Sequence, residues 1–302
     1  MTSGETIAWL VTGARGQLGT DLLAVLAGRP GNDVTGLGRA ELDLTDEAAV
    51  RSTVDDWLSG VRADRAVLVN AAAYTAVDAA ETDEETAQVV NGLAPGWLAE
   101  EMAGRGRLVH VSTDYVFDGT ASEPYPVDAP IAPRSAYGRT KAAGEQAVAA
   151  VGGDAAVVRT AWVYGRHGAN FVRTMIRLEG QHETLTVVDD QVGSPTWSAD
   201  LAAGLVELGV REGDVPPVLH CTNSGQVSWC GFARAVFEEI GADPERVRPI
   251  TTAEFPRPAP RPAYSVLDGG AWAAAGLTPT RPWRDALARA MEGWPREPDP
   301  SG

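Results

Sequence analysis

Residues 7–26 read "IAWLVTGARGQLGTDLLAVL". The apolar run at 7–12 has the composition of a strand, and the stretch from residue 17 that of a helix. Between them lie glycines at 13, 16 and 19. Glycine permits a tight turn and lets the backbone approach a pyrophosphate, which then sits on the helix N-terminus. A Gly-rich turn by itself also serves purely structural ends. Placed directly after a first strand, it points to a dinucleotide site. Gly13, Gly16, Gln17, Leu18 and Gly19 are therefore the first candidate cofactor contacts.

Outward from this unit the same alternation continues. Strand-like runs fall at 33–37, 66–70, 107–112 and 155–159, with helix-like stretches near 17–28, 46–59, 83–104 and 136–151. Strands alternating with helices imply an α/β fold, a doubly wound parallel sheet of the Rossmann type. Beyond residue 160 the pattern loosens. We expect a dinucleotide-binding domain over 1–160, to which some later segments return, and a smaller C-terminal substrate domain, mainly 161–302. The segment "AEFPRPAPRPAYSVLD" is too Pro-rich for regular structure and reads as an ordered loop over a site or as a spacer. The tail from residue 294, "WPREPDPSG", is expected to fray. There is no internal repeat.

The formal charge of -16 argues against a nucleic-acid or anionic-membrane partner. A local Arg cluster can still hold an anionic small substrate at contact range. Cys221 and Cys230 make no disulfide framework and read as buried small hydrophobes. No signal peptide opens the chain and no apolar run is long enough to span a membrane. A cytoplasmic protein is expected.

An NAD site usually ends its second strand on an acid that holds the ribose 2′-hydroxyl. Here that strand runs into "VTGLGRAELD", and Arg39 falls where the acid is expected. A guanidinium suits a 2′-phosphate, so NADPH is favoured, with NADH the weaker alternative. A solvated surface Arg is the bland reading. Asp43 and Leu44, in "LDLTD", are candidate contacts for the adenine end. Asp43 could equally form a turn or helix cap, as Thr45 and Asp46 could.

The chain has 25 cationic residues of the Lys and Arg types, and only Lys141 is a lysine. It lies four residues after Tyr137, so the two share one face of a helix. A nearby cation lowers a phenol's pKa of about 10 by roughly one to three units, which would bring Tyr137 toward neutrality. A compact ammonium can sit beneath the phenol and reach a ribose hydroxyl, where Arg would bring a wide planar fork. Thr113, at the end of the fourth strand, is the candidate to hold a substrate oxygen. Ser112 reads as structural.

These residues resemble the extended short-chain dehydrogenase/reductases, and more narrowly the dTDP-4-dehydrorhamnose reductase family. "GARGQLG", "LDLTD", "NAAAYTAVDAAE", "STDYVFDG", "YGRTKAAGE", "RTAWVYG", "NFVRTMIRL", "DDQVGSPT", "SGQVSW" and "RPAYSVLD" occur in that family's order. The resemblance implies NADPH-dependent reduction of the 4-keto group of a dTDP-6-deoxy-hexulose. It implies Thr113, Tyr137 and Lys141 as the catalytic triad. Ala71, Ala72, Ala73 and Thr75 would lie along the cofactor. Val77, Thr113, Tyr115, Trp162, Asn170 and Arg261 would lie near substrate. Bland alternatives exist: Trp162 as core, Asn170 as a cap, Arg261 paired with Asp268 or Glu254. No metal is expected. Some members dimerise through a metal on acidic side chains, but Ala199 replaces one expected acid, the other position being Asp21. A monomer is therefore expected, a weak homodimer being the alternative. The four histidines show no ligand spacing and are assigned no chemistry.

Two other readings stay open. Sugar dehydratases of this superfamily place an Asp-Glu pair after the Thr, whereas Asp114 is followed by Tyr115. A nucleotide-sugar epimerase or dehydratase is thereby disfavoured. A non-catalytic NADP-binding regulatory subunit is disfavoured by the intact Thr, Tyr and Lys, although fold alone excludes neither.

Overall fold

The computed structural model describes residues 5–294. The expectation of a frayed tail falls largely on residues 295–302, outside that range. Six parallel strands form the central sheet in the order Val218–His220, Ala155–Thr160, Arg107–Thr113, Arg65–Asn70, Ile7–Thr12 and Asn32–Leu37. The five strands expected from the first half all form, within one residue of the expected ends. The sixth comes from well beyond residue 160. Connections run in opposite directions from the first strand, so the order switches beside Ile7–Thr12. A crevice opens at the carboxyl ends of strands at such a point.

The central strands are buried on both faces, which explains their near-continuous apolar sequences, while the edge strand Asn32–Leu37 is only partly buried and more polar. Trp9, Val11, Val67 and Val69 pack with Leu22, Leu201 and Leu205 from the helices Gln17–Ala27 and Ser198–Val210. The alternating residues Leu10, Leu68 and Leu108 face Val50, Val54, Leu98 and Val148 on the opposite side. A separate core around Tyr164, Phe232, Phe237 and Leu287 supports the later segments. Arg65 and Arg107, at the starts of adjacent strands, close the end of Ser198–Val210. Arg65 donates to the carbonyls of Gly209 and Val210, at 3.1 and 3.0 Å, and Arg107 donates to that of Leu208 at 2.9 Å. Cations belong at that negative helix end.

The expected helix over 83–104 is broken into Glu84–Gln88, a π-turn at Val89–Leu93, and Ala94–Met102. Asn91 sits in the π-turn and bonds both backbone groups of Tyr74, at 2.8 and 3.1 Å. The Pro-rich loop is ordered and pinned. Tyr264 N donates to Gly119 O at 3.1 Å and Ser265 N to Val192 O at 2.9 Å. No helix among the described residues is long and apolar enough to cross a membrane.

Candidate active site

A cleft of about 1210 Å³ opens over the carboxyl edge of the sheet. Strand register sets its floor, since Thr12 pairs with Asn70, Asn70 with His110, and Thr113 with Thr160. Gly13, Gly16, Gln17, Leu18, Arg39, Asp43, Leu44, Ala71, Ala72, Ala73, Thr75, Val77, Thr113, Tyr115, Tyr137, Lys141 and Trp162 all line it. Residues spread over most of the sequence-predicted site thus share one cavity.

The Gly turn explains itself sterically. Gly13 has φ +68°, and a Cβ there would sit 2.7 Å from Ala72 N. Gly16 caps the helix Gln17–Ala27 with no side chain, leaving that end's N–H groups for an anion. Gly19 is not part of the cleft wall. A Cβ there would run into the Gly13 carbonyl, so its role is close helix–strand packing. Buried polar atoms without partners, Gln17 Oε1, Asp114 Oδ2 and Thr160 Oγ1, belong to cleft residues. A Cβ-free cradle, an uncapped helix end and these orphaned atoms fit a dinucleotide.

At the adenine end, Arg39 is exposed and makes no ion pair among the described residues. Asp43 spends Oδ1 on its own loop, accepting from Thr45 N at 3.0 Å and from the Thr45 hydroxyl at 2.8 Å. Those bonds hold its carboxyl below the usual carboxylate range. An acid does stand near this strand end, at Glu41, where sequence reasoning saw none. It is tied to Arg15 and to Gly38 N.

At the catalytic end, Ser135 caps the helix Ala136–Val151, accepting from Gly138 N at 3.1 Å, and so fixes Tyr137 one turn before Lys141. Lys141 is 1% exposed, and its Nζ donates to Val111 O at 2.7 Å. Burial pushes its pKa down to about 8, partly offset by Glu145. The expected lowering of the Tyr137 phenol does not occur. Burial raises it to about 12, Thr113 lowering it and Asp114 adding to the rise. The ammonium is engaged by the strand carbonyl rather than the phenol, and desolvation of tyrosinate dominates. Tyr115 meets the Tyr137 ring edge to face at 5.5 Å. Thr113 Oγ1 donates to Asp114 Oδ1 at 2.9 Å, and burial raises Asp114 to about 6. Ser112 is structural, donating to Glu145 Oε1 at 2.5 Å.

Two expected substrate contacts, Asn170 and Arg261, do not line the cleft itself, although the recess that holds Arg261 shares Tyr115 with it. Asn170 is a helix N-cap: Oδ1 accepts from Arg173 N at 3.1 Å and Nδ2 donates to Gly165 O at 2.8 Å. Its amide is consumed by the cap, while its neighbours Gly168 and Ala169 reach the cleft. Arg261 lines a small recess with Tyr115 and Arg134. Its ion-pair partner is Asp78, at 2.9 Å, and neither Asp268 nor Glu254. Asp78 also binds Arg257, so one carboxylate faces two guanidiniums and the cluster keeps a net positive charge.

Trp162 is the one non-glycine residue with positive φ among those described, at +48°. It stacks on Trp229 with ring centroids 3.5 Å apart. A Cβ at Gly193 would run into its indole. Trp229, which the sequence did not single out, therefore backs the cleft wall. The motif "SGQVSW" carries it, but nothing local marks the stack. Asp21, one of the two expected metal-dimer positions, accepts from the Ser198 hydroxyl within the chain. No group of three or more potential metal ligands occurs among the described residues.

The family model described as the RmlD substrate binding domain matches residues 7–294. A dTDP-4-dehydrorhamnose reductase of Streptomyces griseus is 50% identical over 288 residues, covering 94% of this chain and 92% of that protein. A dTDP-4-keto-6-deoxy-D-glucose reductase of Streptomyces niveus is 49% identical over 288 residues, covering 95% and 97%. The crystal structure of a dTDP-4-dehydrorhamnose reductase from Bacillus anthracis in complex with NADP superposes with a TM-score of 0.88 at 34% identity, covering 95% of this chain and 99% of that one. A match of this extent to the family model, with relatives near half-identical over almost their full length, shows that this chain belongs to the RmlD substrate binding domain family.

Proposed function

We propose that this chain reduces the 4-keto group of a dTDP-4-keto-6-deoxy-hexulose with NADPH, giving dTDP-L-rhamnose or a closely related dTDP-6-deoxy sugar. The observation that carries the reading is the gathering of Thr113, Tyr137 and Lys141 into one cleft with the Gly13–Gly16 turn and Arg39. The relatives' names supply the substrate class. Mixing the protein with the keto sugar and NADPH is expected to deplete NADPH only when both are present. Absence of depletion would refute the reading.

Bound NADPH supplies a hydride to the carbonyl carbon. The Gly13–Gly16 turn and the uncapped helix end hold the diphosphate, and Arg39 the 2′-phosphate. Tyr137, its phenol protonated at neutral pH, gives the proton that the new alkoxide oxygen needs. Thr113 holds that oxygen, and Lys141 steadies the ribose and the phenol. The Trp162–Trp229 stack and Val77 bound the sugar, and Tyr115 shields the phenol from water. Cofactor contacts come mainly from residues 1–160 and the sugar nucleotide packs mainly against 161–302. The chain acts as a monomer in the cytoplasm: Asp21 is spent on Ser198, and both cysteines are free and buried.

Arg39→Ala is expected to raise the KM for NADPH about tenfold, the lower end for a bond to a charged group at an exposed site, and to leave that for NADH nearly unchanged. Equal effects on the two would remove Arg39 from the 2′-phosphate. Arg261 is assigned to the substrate diphosphate, because Asp78 cannot neutralise two guanidiniums and the global charge repels a dianion. Such a bond acts equally on substrate and transition state. Arg261→Ala should therefore lower kcat/KM about 10- to 150-fold through KM alone, with the melting temperature kept by the remaining Arg257–Asp78 pair. A lowered melting temperature with wild-type KM would make it a structural arginine.

A further inference from the structure

A chain of buried polar groups runs beneath the cleft from Thr12 to Lys141. The Thr12 hydroxyl donates to Asn70 Oδ1 at 2.7 Å, and Ala72 N donates to the same oxygen at 3.3 Å. Asn70 Nδ2 lies 3.0 Å from His110 Nδ1, and His110 Nε2 lies 3.4 Å from Lys141 Nζ. A hydroxyl can turn to donate or accept, but a backbone N–H can only donate. Ala72 therefore fixes Oδ1 as the acceptor side of the Asn70 amide. Nδ2 must then donate to His110, whose Nδ1 is the acceptor. His110 is fully buried, and burial together with the Lys141 charge holds its pKa well below the usual imidazole value. The ring is neutral, and its one proton sits on Nε2, facing the lysine.

We propose that His110 is a positioning residue for Lys141, its tautomer locked by Thr12, Asn70 and Ala72 so that Nε2–H disfavours the ammonium and makes the lysine a group that can give up and retake a proton. An ammonium turns only hydrogens toward its neighbours and meets Nε2–H unfavourably. An amine offers Nε2–H a lone pair while still donating to Val111 O. Lys141 lines the cleft; it can thus release a proton toward Tyr137 after the phenol has given its own, and take a new one from water entering the open cleft between turnovers. Among other groups around the lysine, Glu145, on its own helix, acts in the opposite sense and is balanced by Arg159 from the neighbouring strand. Asp114 and Tyr115 stand beyond Tyr137, in the turn after Thr113. Asp78 is engaged by Arg257 and Arg261, Glu84 by Arg139, and Glu100 and Glu101 by Arg51. The π-turn contributes the neutral Asn91.

The role in turnover rests on the reductase reading, but the contact is testable without substrate. Lys141 is the only lysine, so protein grown on lysine labelled with carbon-13 at Cε gives one side-chain resonance. In the wild type that signal should titrate near 8. In His110→Gln the amide oxygen can accept from Nζ, and the midpoint should rise by about one to two units, the size of a hydrogen bond to a charged group. The alkaline limb of the kcat profile should move up with it. An unmoved midpoint in a folded variant would overturn the proposal. If that variant does not fold, nitrogen-15 spectra of the wild-type histidines decide, since a buried histidine protonated at Nε2 next to an unprotonated Nδ1 is required at position 110. The opposite tautomer there would overturn it. Failure of the NADPH assay with a shifted lysine midpoint would sink the reductase reading and leave this contact standing.

Discussion

Tyr137→Phe should cut kcat by about 100- to 10,000-fold, the range for removing a positioned general acid. The substitution deletes one oxygen and keeps the ring that meets Tyr115 edge to face. With a phenol pKa of about 12, nearly every molecule holds the proton at working pH. The group therefore serves as a donor in the direction of reduction, with no need for a preformed tyrosinate. Binding of NADPH, read by quenching of the nine tryptophans, should change only a few-fold. A variant retaining about a tenth or more of wild-type kcat would show that water or Thr113 supplies the proton.

Glu145→Leu should cost about 3–5 kcal/mol, a large share of a typical stability of about 5–15 kcal/mol. Glu145 and Arg159 form a two-pronged pair, Nε to Oε1 at 2.9 Å and Nη2 to Oε2 at 2.8 Å, with both side chains at most 5% exposed. The leucine would leave the Arg159 charge buried with only the Val127 carbonyl, His220 and the Phe117 ring around it. Urea unfolding measures the loss. Glu145→Leu combined with Arg159→Leu should recover much of it, because the penalty is the unpaired charge rather than the missing bond. A single variant within about 1 kcal/mol of wild type would contradict this.

The sheet was legible because its central strands are buried on both faces and bounded by glycine and polar turns. Runs such as "RAVLVN" declare themselves locally. The cleft's glycines and the Tyr137–Lys141 spacing were legible for the same reason, being set by turn sterics and helix period. What sequence could not show depends on approach through space. Asp78 lies far along the chain from Arg261, and only the docking of the Pro-rich loop makes them partners. His110 carries no spacing signal, and its meaning comes from strand register beside Asn70 and from the helix laid across it. The Tyr137 pKa moves opposite to the sequence expectation because proximity in sequence gives a direction for charge and none for burial, which dominates here. Asn170 illustrates the reverse case, a polar residue near a cleft whose backbone duty consumes it.

Hydride passes from a nicotinamide to carbon 4 of a dTDP-bound keto sugar, with the proton from Tyr137. Turnover of dTDP-4-keto-6-deoxy-hexulose with NADPH deuterated at the transferable position, followed by NMR of the product, tests this transfer. The expected product is a dTDP-6-deoxy sugar with one deuterium on carbon 4 and none on neighbouring carbons, with one NADPH consumed per sugar. A product without carbon-4 label, or an altered sugar formed with no net loss of NADPH, would contradict it and point to epimerisation or elimination instead.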